Sequence, residues 1–295
     1  MTATADSRTH KSTTVRFFKA PPPVRAAFAV LNRAAPALAA RWAEHIWFTL
    51  PGAAAPARPV PVPGGRTFTV RAEGLDVAGQ VWGEGPTVFL MHGWGGHAGQ
   101  LASFVTPLVD RGHRVVAFDA PSHGRSGPGA YGPRSSSVPE FAAALTAVVA
   151  EFGPARAVIA HSMGGTATAV ALCDGLPAGR IVLLAPMASP VSHARELADV
   201  LGFGEPTYRR LIARVERRVG VPMHHFDVPE LGRAVAMPPT LVVHDRDDRY
   251  TPVAGGAAIA EAWPAARLHV TEGLGHRRLL RDPDVVAEVV DFVTA

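Results

Sequence analysis

The chain has 295 residues, of which 47% are hydrophobic and 18% are charged. This balance is typical of a globular protein and excludes a disordered one, and the length fits one large α/β domain with a small insertion. The formal net charge is only +4, and the single cysteine, Cys173, excludes an internal disulfide framework and fits a reducing compartment.

The positive charge is concentrated in the first 60 residues, which contain eight basic and two acidic side chains. A basic segment of this kind can bind anionic lipid or nucleic acid, but it is more often a solvated surface, and no recognised nucleic-acid-binding module accompanies it. The chain also has no uninterrupted run of about 18 apolar residues, the length that spans a bilayer. We therefore expect a cytoplasmic protein with no transmembrane segment and no nucleic-acid partner.

The N-terminal region, residues 1–65, is predicted to comprise a loose polar tail over 1–19, an amphipathic helix, and a linker rich in Pro, Ala and Gly over 51–65. The apolar residues of the helix recur every three or four positions: Phe28, Leu31, Ala35, Leu38, Trp42 and Ile46. Pro36 is expected to break or kink this helix. We expect the apolar stripe to pack on the protein body or on a second subunit rather than on a membrane surface. Packing on a second subunit would form a homodimer.

Strand and helix patterns alternate after residue 66. Short apolar runs predict eight strands, at residues 67–72, 77–82, 87–91, 114–118, 156–161, 180–185, 239–244 and 267–270. Helical patterns occupy residues 99–111, 138–152, 163–174, 254–262 and 283–293. Continuous apolar strands separated by helices predict a mostly parallel sheet that is covered on both faces, with the first strands antiparallel.

The most informative motif is Ala-His-Ser-Met-Gly at residues 160–164, which puts Ser162 between an apolar strand and a helix rich in small residues. Small residues two positions before and after the serine permit the sharp strand–turn–helix geometry of a nucleophile elbow. The alternative is a serine that only caps the helix. At an elbow, the helix N-terminus would favour the negative charge that develops when the hydroxyl attacks a carbonyl.

Further segments accompany this motif. The apolar run 88–91 leads into a His-Gly-Trp-Gly-Gly loop, and the apolar run 240–244 leads into a loop with three aspartates. A Gly-Leu-Gly-His sequence that ends at His276 precedes the last helix. Serine, then acid, then histidine is the chain order of an α/β-hydrolase, and it differs from the order in other serine-hydrolase folds.

On these motifs the chain resembles the α/β-hydrolase family from about residue 67 to its C-terminus. Residues 119–126, Asp-Ala-Pro-Ser-His-Gly-Arg-Ser, are also similar to the loop that follows the fourth strand in that family. The resemblance implies an α/β fold with a mostly parallel eight-stranded sheet flanked by helices, formed by residues 66–187 and 239–295.

The same resemblance implies that residues 188–238 form a small helical cap, because this connection is longer than a plain strand–helix–strand crossover needs. Helical patterns in the cap lie at residues 196–200 and 208–219. The second cap helix carries five arginines: Arg209, Arg210, Arg214, Arg217 and Arg218. We expect them to form a solvated helix face, with a site for acidic substrates as the alternative.

The resemblance implies a catalytic triad in which Ser162 is the nucleophile, His276 the base and Asp248 the acid. Serine is a weak nucleophile unless a base removes its proton, and the base needs a carboxylate to hold its tautomer and stabilise its cation. Asp248, four residues before Pro252, matches the acid position of the family best. Asp245 is the alternative acid, although it stands where the family usually has glycine.

The resemblance also assigns the oxyanion hole to the backbone N–H groups of Trp94 and Met163. We expect His92 to hydrogen-bond the backbone of its own loop, and His161 to point away from Ser162. The thiol of Cys173 lies eleven residues after Ser162, on the following helix, and we expect it to be buried rather than to act as a competing nucleophile.

These features predict a metal-free serine hydrolase that cleaves a carboxylic ester of a small to medium acyl substrate through an acyl-enzyme. The same triad would serve a thioesterase, lactonase, aminopeptidase or carbon–carbon hydrolase, and the remaining alternative is a non-catalytic hydrolase fold that binds a ligand. The sequence has no metal-ligand spacing, phosphate-binding loop or dinucleotide fingerprint, so we expect neither a metal nor a cofactor. The expected partner is a small-molecule acyl substrate.

Overall fold

The computed structural model describes residues 20–51 and 60–295. The predicted polar tail over 1–19, and most of the predicted linker over 51–65, lie outside the described residues. None of the helices in the two described ranges has the length and hydropathy that a bilayer-spanning helix requires.

One eight-stranded sheet forms the centre of the fold. Its strands are β1 (Arg66–Ala72), β2 (Leu75–Trp82), β3 (Thr87–Met91), β4 (Arg114–Phe118), β5 (Ala155–His161), β6 (Ile181–Leu184), β7 (Thr240–Asp245) and β8 (Ala266–Thr271). Their spatial order is β1-β2-β4-β3-β5-β6-β7-β8. β2 pairs antiparallel with β1 and with β4, and all other neighbours pair parallel. The predicted fold class is therefore confirmed, including its antiparallel first strands.

The central strands are apolar on both sides because the sheet is buried between two helical layers. All residues of β3 and β6 are buried. Successive side chains of a strand point to opposite faces, and accordingly Phe89 belongs to one buried hydrophobic cluster while Leu90 belongs to another. This burial fixes the sheet, and with it the edge at which the parallel strands end.

The α-helices of the described residues flank the sheet or lie above its edge. They are α1 (Pro22–Ala34), α2 (Pro36–Phe48), α3 (Val105–Val109), α4 (Val138–Phe152), α5 (Met163–Cys173), α6 (Pro190–Leu201), α7 (Glu205–Val219), α8 (Val228–Ala234), α9 (Val253–Ala262), α10 (Gly275–Arg278) and α11 (Pro283–Thr294). The helix predicted over 99–111 is instead a 3₁₀ segment, Ala98–Phe104, followed by the short α3. Pro107 has no N–H to donate to a preceding carbonyl, which fits this short helix.

The N-terminal helices pack on the cap. Helices α6, α7 and α8 occupy the region predicted as the cap, and α1, α2, α6 and α7 share one hydrophobic cluster that is separate from the two clusters on the sheet. The ring of Phe28 in α1 stacks on Trp42 in α2 with centroids 4.5 Å apart, and it also contacts Phe203 between α6 and α7. The predicted apolar stripe therefore faces the cap.

The chain breaks between α1 and α2 at Ala35, whose φ of −152° and ψ of 64° are not helical. This break is where Pro36 was expected to disturb the helix, because proline is tolerated only at the start of a helix. It also changes the phase of the apolar stripe, so that Leu38 is 54% exposed instead of packed with Phe28 and Trp42.

Candidate active site

Ser162 lies in the turn between β5 and α5, with φ 54° and ψ −123°. Positive φ is strained for a residue other than glycine and persists only where the surroundings fix it. Here the Ser162 N–H donates to the Leu184 carbonyl at 3.0 Å, and the Ser162 carbonyl accepts from Gly165 at 2.9 Å and from Met187 at 3.2 Å. These bonds hold the serine at the end of the central strand in the conformation of a nucleophile elbow.

Two glycines let the loop after β3 approach the turn. A Cβ at Gly93 would lie 2.7 Å from Cβ of Ser162, and a Cβ at Gly164 would lie 2.5 Å from the carbonyl oxygen of His92. Real Cβ atoms do not come this close to their neighbours. Glycine is therefore required at both positions for the backbone of residues 92–93 to pass beside the Ser162 side chain.

The structure brings the three side chains of the predicted triad together. Nε2 of His276 lies 3.1 Å from Oγ of Ser162, and Nδ1 of His276 lies 2.7 Å from Oδ2 of Asp248. Asp248 and His276 are both almost completely buried. Ser162 and Asp248 are more than 80 positions apart in the chain, and Asp248 and His276 are 28 positions apart. The three residues meet because β5, β7 and β8 end at the same edge of the parallel sheet.

The Asp248 carboxylate is held by several donors. Its Oδ1 accepts from the backbone N–H groups of Tyr250 at 2.7 Å and Thr251 at 3.0 Å, and its Oδ2 accepts from the Thr251 hydroxyl at 3.0 Å. Burial alone would raise the pKa of Asp248, but its interactions with His244 and His276 and with the Thr251 backbone outweigh burial and lower the pKa. The group is therefore a carboxylate, which is the form that can stabilise an imidazolium.

Asp245, the alternative acid, is not hydrogen-bonded to His276. Its Oδ2 accepts from the Thr271 hydroxyl at 2.7 Å and from the Leu274 N–H at 2.9 Å, and its Oδ1 accepts from the Asp247 N–H at 2.9 Å. Burial raises the pKa of Asp245, but these donors and the Gly275 backbone lower it overall. Asp245 thus ties the end of β7 to the loop that carries the histidine.

The two predicted oxyanion donors lie on either side of Ser162. Trp94 follows Gly93 in the loop beside the serine, and Met163 is the first residue of α5. Within the described part of the chain, neither backbone N–H donates to a protein acceptor. Both groups are thus free to bind an oxygen that forms next to Ser162.

Two buried histidines support the Trp94 loop. Nε2 of His92 accepts from the Ala120 N–H at 3.0 Å, so its Nδ1 carries the proton and donates to the Gly93 carbonyl at 2.7 Å. Nε2 of His123 accepts from the Gly95 N–H at 3.0 Å, so its Nδ1 donates to the Pro121 carbonyl at 2.9 Å. Because burial disfavours the charged ring, the pKa falls to about 4 for His92 and to about 3 for His123.

The expectation that His161 points away from Ser162 is wrong. Its Nε2 donates to the backbone carbonyl of His276 at 2.9 Å, and the two rings lie with centroids 4.6 Å apart. Burial and the proximity of His276 lower the pKa of His161 well below its usual value, so the ring is neutral. Strand alternation gave the wrong direction because the positive φ of Ser162 interrupts the extended backbone at this point.

Thr251 and His123 were not singled out from the sequence. Thr251 donates to Asp248 and also lies 3.3 Å from Nδ1 of His276. An aspartate three residues before a threonine is typical of a side-chain-capped turn, and this spacing is the signal that could have identified Thr251. His123 has no comparable signal, because its contact with Gly95 joins two loops that are distant in sequence.

A cavity of about 680 Å³ lies over Ser162 and His276. Its apolar walls come from the cap, from the loop before α4, and from residues 45–51 at the end of α2. Tyr250 and Arg277 line it beside His276, and Arg277 is the only lysine or arginine among the described residues that line it. The cavity therefore presents a mostly hydrophobic space to a ligand, and Ser162 and His276 are among the polar groups that line it.

The Cys173 side chain is only half-buried, and not fully buried as expected. Burial together with the nearby Asp174 raises the pKa of its thiol, which disfavours the reactive thiolate.

The arginines of α7 divide into two groups. Arg209, Arg210 and Arg217 are exposed, as expected of a solvated face. Arg214 and Arg218 are partly buried and form ion pairs with Glu44 of α2.

Comparison with known proteins agrees with the fold. The alpha/beta hydrolase family model matches residues 88–289. The chain is 27% identical over 276 residues to a non-heme haloperoxidase of Rhodococcus erythropolis, an alignment that covers 77% of this chain and 98% of that protein.

It is also 28% identical over 254 residues to a 2-hydroxy-6-oxononadienedioate/2-hydroxy-6-oxononatrienedioate hydrolase of Dechloromonas aromatica, covering 70% and 86% of the two chains. Among solved structures, an esterase from Exiguobacterium antarcticum superposes with a TM-score of 0.59 at 17% identity, covering 77% of this chain and 99% of that one. At this identity the likeness to the esterase concerns the fold alone.

Proposed function

The chain belongs to the alpha/beta hydrolase family, and we propose that it is a serine hydrolase that cleaves carboxylic esters of small to medium acyl chains. The observation that carries this proposal is the chain of contacts from Ser162 Oγ to His276 Nε2 at 3.1 Å and from His276 Nδ1 to Asp248 Oδ2 at 2.7 Å. These contacts lie at the floor of the apolar cavity, where an acyl chain would be bound.

In the proposed reaction, Nε2 of His276 removes the proton of the Ser162 hydroxyl while Oγ forms a bond to the ester carbonyl carbon. The electron pair of the carbonyl moves to its oxygen, and the Trp94 and Met163 N–H groups stabilise the resulting oxyanion. Asp248 stabilises the imidazolium that forms on His276. The carbon–oxygen bond to the alcohol then breaks, and the alcohol leaves with the proton from His276.

Deacylation repeats these steps with water as the nucleophile. His276 removes a proton from water, the hydroxide attacks the acyl-enzyme carbonyl, and the oxyanion is again stabilised by the same two N–H groups. Breakdown of this second intermediate releases the carboxylic acid and returns the proton to Ser162.

The shape and polarity of the cavity support a neutral acyl substrate. Its volume lies in the range of pockets that bind small organic ligands, about 300–1,000 Å³. Its walls include Leu197, Val215, Val219 and Phe226, which have no hydrogen-bonding side chains. Burying an alkyl chain against such walls contributes roughly 25 cal/mol for each Å² of apolar surface removed from water.

A second candidate comes from the relative that is named a 2-hydroxy-6-oxononadienedioate/2-hydroxy-6-oxononatrienedioate hydrolase. A dienedioate carries two carboxylates, and burying two charges requires cationic or hydrogen-bonding partners for both. Arg277 is the single lysine or arginine among the described residues that line the cavity. One arginine can balance only one of the two carboxylates, which favours the ester over the dienedioate. Thioesters, lactones and amides differ from the ester only in their leaving group, so the charge of the cavity does not separate them.

The proposal is tested with 4-nitrophenyl acetate, butyrate and octanoate on the wild type, on Ser162→Ala and on Ser192→Ala, which removes an exposed serine of the cap. We expect Ser162→Ala to lose at least about 10⁴-fold in kcat and Ser192→Ala to match the wild type. A fluorophosphonate probe should label the peptide that contains Ser162. Equal turnover by the wild type and Ser162→Ala would refute the mechanism.

The alternatives are separated by a second set of substrates. Thioesters, lactones, anilides and a 2-hydroxy-6-oxo dienedioate are compared with the esters by kcat/KM on the same enzyme. A higher kcat/KM on the dienedioate would replace the ester proposal with the second candidate. A protein that no fluorophosphonate labels, but that binds an acyl ligand tightly, would instead be a non-catalytic member of the family.

A further inference from the structure

Seven consecutive residues near the N-terminus form one wall of the cavity. They run from His45 to Pro51 and include the side chains of Ile46, Trp47, Phe48 and Leu50. These residues precede the span 88–289 that matches the family model. The wall therefore lies outside the part of the chain that the family model describes.

This wall is attached to the loop before α4 by backbone pairing. Thr49 forms an isolated antiparallel bridge with Ser135, and the Leu50 N–H donates to the Arg134 carbonyl at 2.9 Å. The Arg134 guanidinium donates back to the Leu50 carbonyl at 2.9 Å. The backbone after α2 is thus fixed to the core, and its side chains are held towards the cavity.

Arg218, at the end of α7, joins three parts of the molecule around this wall. Its guanidinium lies 4.0 Å from the centre of the Phe48 ring and 4.2 Å from the centre of the Tyr131 ring, and it donates to Oγ of Ser135 at 2.8 Å. The Tyr131 hydroxyl donates to the Arg218 carbonyl. One side chain therefore contacts the N-terminal wall, the core loop and the cap.

The ion pairs with α2 reinforce the same junction. Glu44, one turn before Phe48, accepts from Arg214 and lies 3.9 Å from Nη1 of Arg218. The Glu44 side chain is only 12% exposed, so its charge is screened less by solvent than a surface charge is. Phe48 therefore packs against Arg218. The Glu44 carboxylate, which pairs with Arg214 and Arg218, ties the end of α2 to α7 next to this contact.

We propose that residues 45–51 are the acyl-chain subsite of this enzyme and that Arg218 is the positioning residue that keeps Phe48 and its neighbours in the wall. The inference rests on the proposed ester hydrolysis and adds the element that selects acyl-chain length. A short acyl group is bound next to Ser162 and does not need the whole wall. A longer chain gains affinity only while the apolar side chains of residues 46–50 stay in place.

The test measures selectivity, the ratio of kcat/KM for 4-nitrophenyl octanoate to that for the acetate. The matched variants are Arg218→Ala and Arg217→Ala, which remove neighbouring arginines from the last turn of α7, of which only Arg218 contacts the wall. We expect Arg218→Ala to lower the ratio about tenfold, mainly through KM for the octanoate, and Arg217→Ala to leave it as in the wild type. Arg218→Lys should not restore the ratio, because lysine lacks the planar group that stacks between two rings.

A Phe48→Ala variant gives an independent measure. Because Arg218 acts through Phe48, the double variant Phe48→Ala/Arg218→Ala should have almost the same octanoate-to-acetate ratio as Phe48→Ala alone. An unchanged ratio in Arg218→Ala and in Phe48→Ala, with both proteins folded, would overturn the proposal while leaving ester hydrolysis intact. Equal losses in Arg217→Ala and Arg218→Ala would also overturn it, because they would indicate a general effect of charge on α7.

A binding measurement separates this proposal from the proposed function. Octan-2-one and butanone, ketones that cannot be hydrolysed as esters, are titrated calorimetrically into the wild type, Arg217→Ala and Arg218→Ala. If Arg218→Ala bound octan-2-one more weakly than the wild type and Arg217→Ala do, but bound butanone equally well, the subsite would be supported even if no ester were cleaved. Equal affinities for octan-2-one in all three proteins would refute the subsite whatever the ester assays give.

Discussion

Oδ2 of Asp248 lies 2.7 Å from Nδ1 of His276, and the Thr251 hydroxyl donates to the same oxygen at 3.0 Å. The second carboxylate oxygen accepts the N–H groups of Tyr250 and Thr251. A carboxylate with this set of donors keeps its charge and its orientation, because rotation would break several hydrogen bonds at once. It therefore fixes a proton on Nδ1 of His276 and leaves Nε2 as an acceptor towards Ser162.

This relationship predicts a large effect of Asp248→Asn. The amide can donate to Nδ1, which would move the ring proton to Nε2 and remove the acceptor that faces Ser162. We expect kcat for 4-nitrophenyl butyrate to fall by about 10³–10⁴-fold with little change in KM. Asp245→Asn is the matched variant, and it should lower kcat less than tenfold because Asp245 contacts the histidine loop and not the ring. A larger kcat loss in Asp245→Asn than in Asp248→Asn would reverse the assignment of the acid.

Gly93→Ala should impair the reaction without weakening substrate binding. The added methyl would lie 2.7 Å from Cβ of Ser162, so the loop would have to move and take the Trp94 N–H with it. Loss of one oxyanion donor lowers kcat by about 10²–10³-fold. Gly127→Ala is the control, because the nearest neighbour of its Cβ would be Cβ of Asp76 at 3.2 Å, and the backbone O and N of Asp76 would lie at ordinary contact distances of 3.6 and 3.7 Å. Steady-state kinetics with 4-nitrophenyl butyrate distinguish the two, and a wild-type kcat in Gly93→Ala would argue against the proposed oxyanion hole.

The sequence was sufficient for the sheet and for the three residues that meet at its edge. Continuous apolar runs identify buried parallel strands, and parallel strands bring the loops that follow them to one edge. Ser162 and Asp248 follow the buried strands β5 and β7, while His276 follows the edge strand β8, in which no residue is fully buried, and the sheet brings all three to one edge. The strand pattern carries this information because parallel strands need helical crossover connections, which return each strand to the sheet in the same direction and so bring the following loops to one edge.

Features that depend on packing between distant segments were not predicted. The direction of His161 depends on the backbone angle at Ser162, and the contact of His123 with Gly95 joins two loops. The break at Ala35 was expected from Pro36, but its effect on the direction of Leu38 was not, because the apolar stripe was continued through Leu38. The cavity wall at residues 45–51 was read as the end of a helix and a linker, because a contact across more than 160 positions leaves no local pattern in the sequence.

His161 is predicted to stabilise the loop that carries His276. Its Nε2 donates to the His276 carbonyl, and in His161→Phe this buried carbonyl would lose its donor while the ring packing is largely kept. A buried acceptor without a partner costs about 1–3 kcal/mol. Urea unfolding should therefore show a lower free energy of unfolding by that amount.

The same substitution is expected to lower kcat by a smaller factor than Asp248→Asn, because the ring of His276 keeps its bond to Asp248. His161→Gln is the companion variant, since an amide N–H can reach towards the same carbonyl and should recover part of the stability. Equal stability of the wild type and His161→Phe would mean that this hydrogen bond contributes nothing to the fold.

The buried histidines of the Trp94 loop predict that acid weakens the fold. The pKa of His92 is lowered from its usual 6.5 to about 4 because burial excludes the charged ring. The unfolded chain therefore binds this proton at a higher pH than the folded chain does, and stability falls as pH decreases from about 6.5 towards 4. The stabilisation is fully present above pH 6.5, and a difference of this size corresponds to on the order of 3 kcal/mol at pH 4.

His92→Gln isolates this contribution from the carboxylates that also titrate in acid. The glutamine amide can accept from Ala120 and donate to Gly93 but cannot titrate, so the variant should be less stable than the wild type at pH 7 by an amount that shrinks at pH 4.5. Urea unfolding at the two pH values measures the change, and His224→Gln, at an exposed histidine, is the control. If the stability difference between the wild type and His92→Gln were the same at pH 7 and pH 4.5, the loop would not owe its acid sensitivity to His92. Because Gly93 and Trp94 follow this histidine directly, protonation of the ring removes its acceptor for Ala120 and disturbs the loop whose N–H is assigned to the oxyanion. The folded protein takes up this proton only near the lowered pKa of about 4, so this loss of kcat is expected as the pH approaches 4.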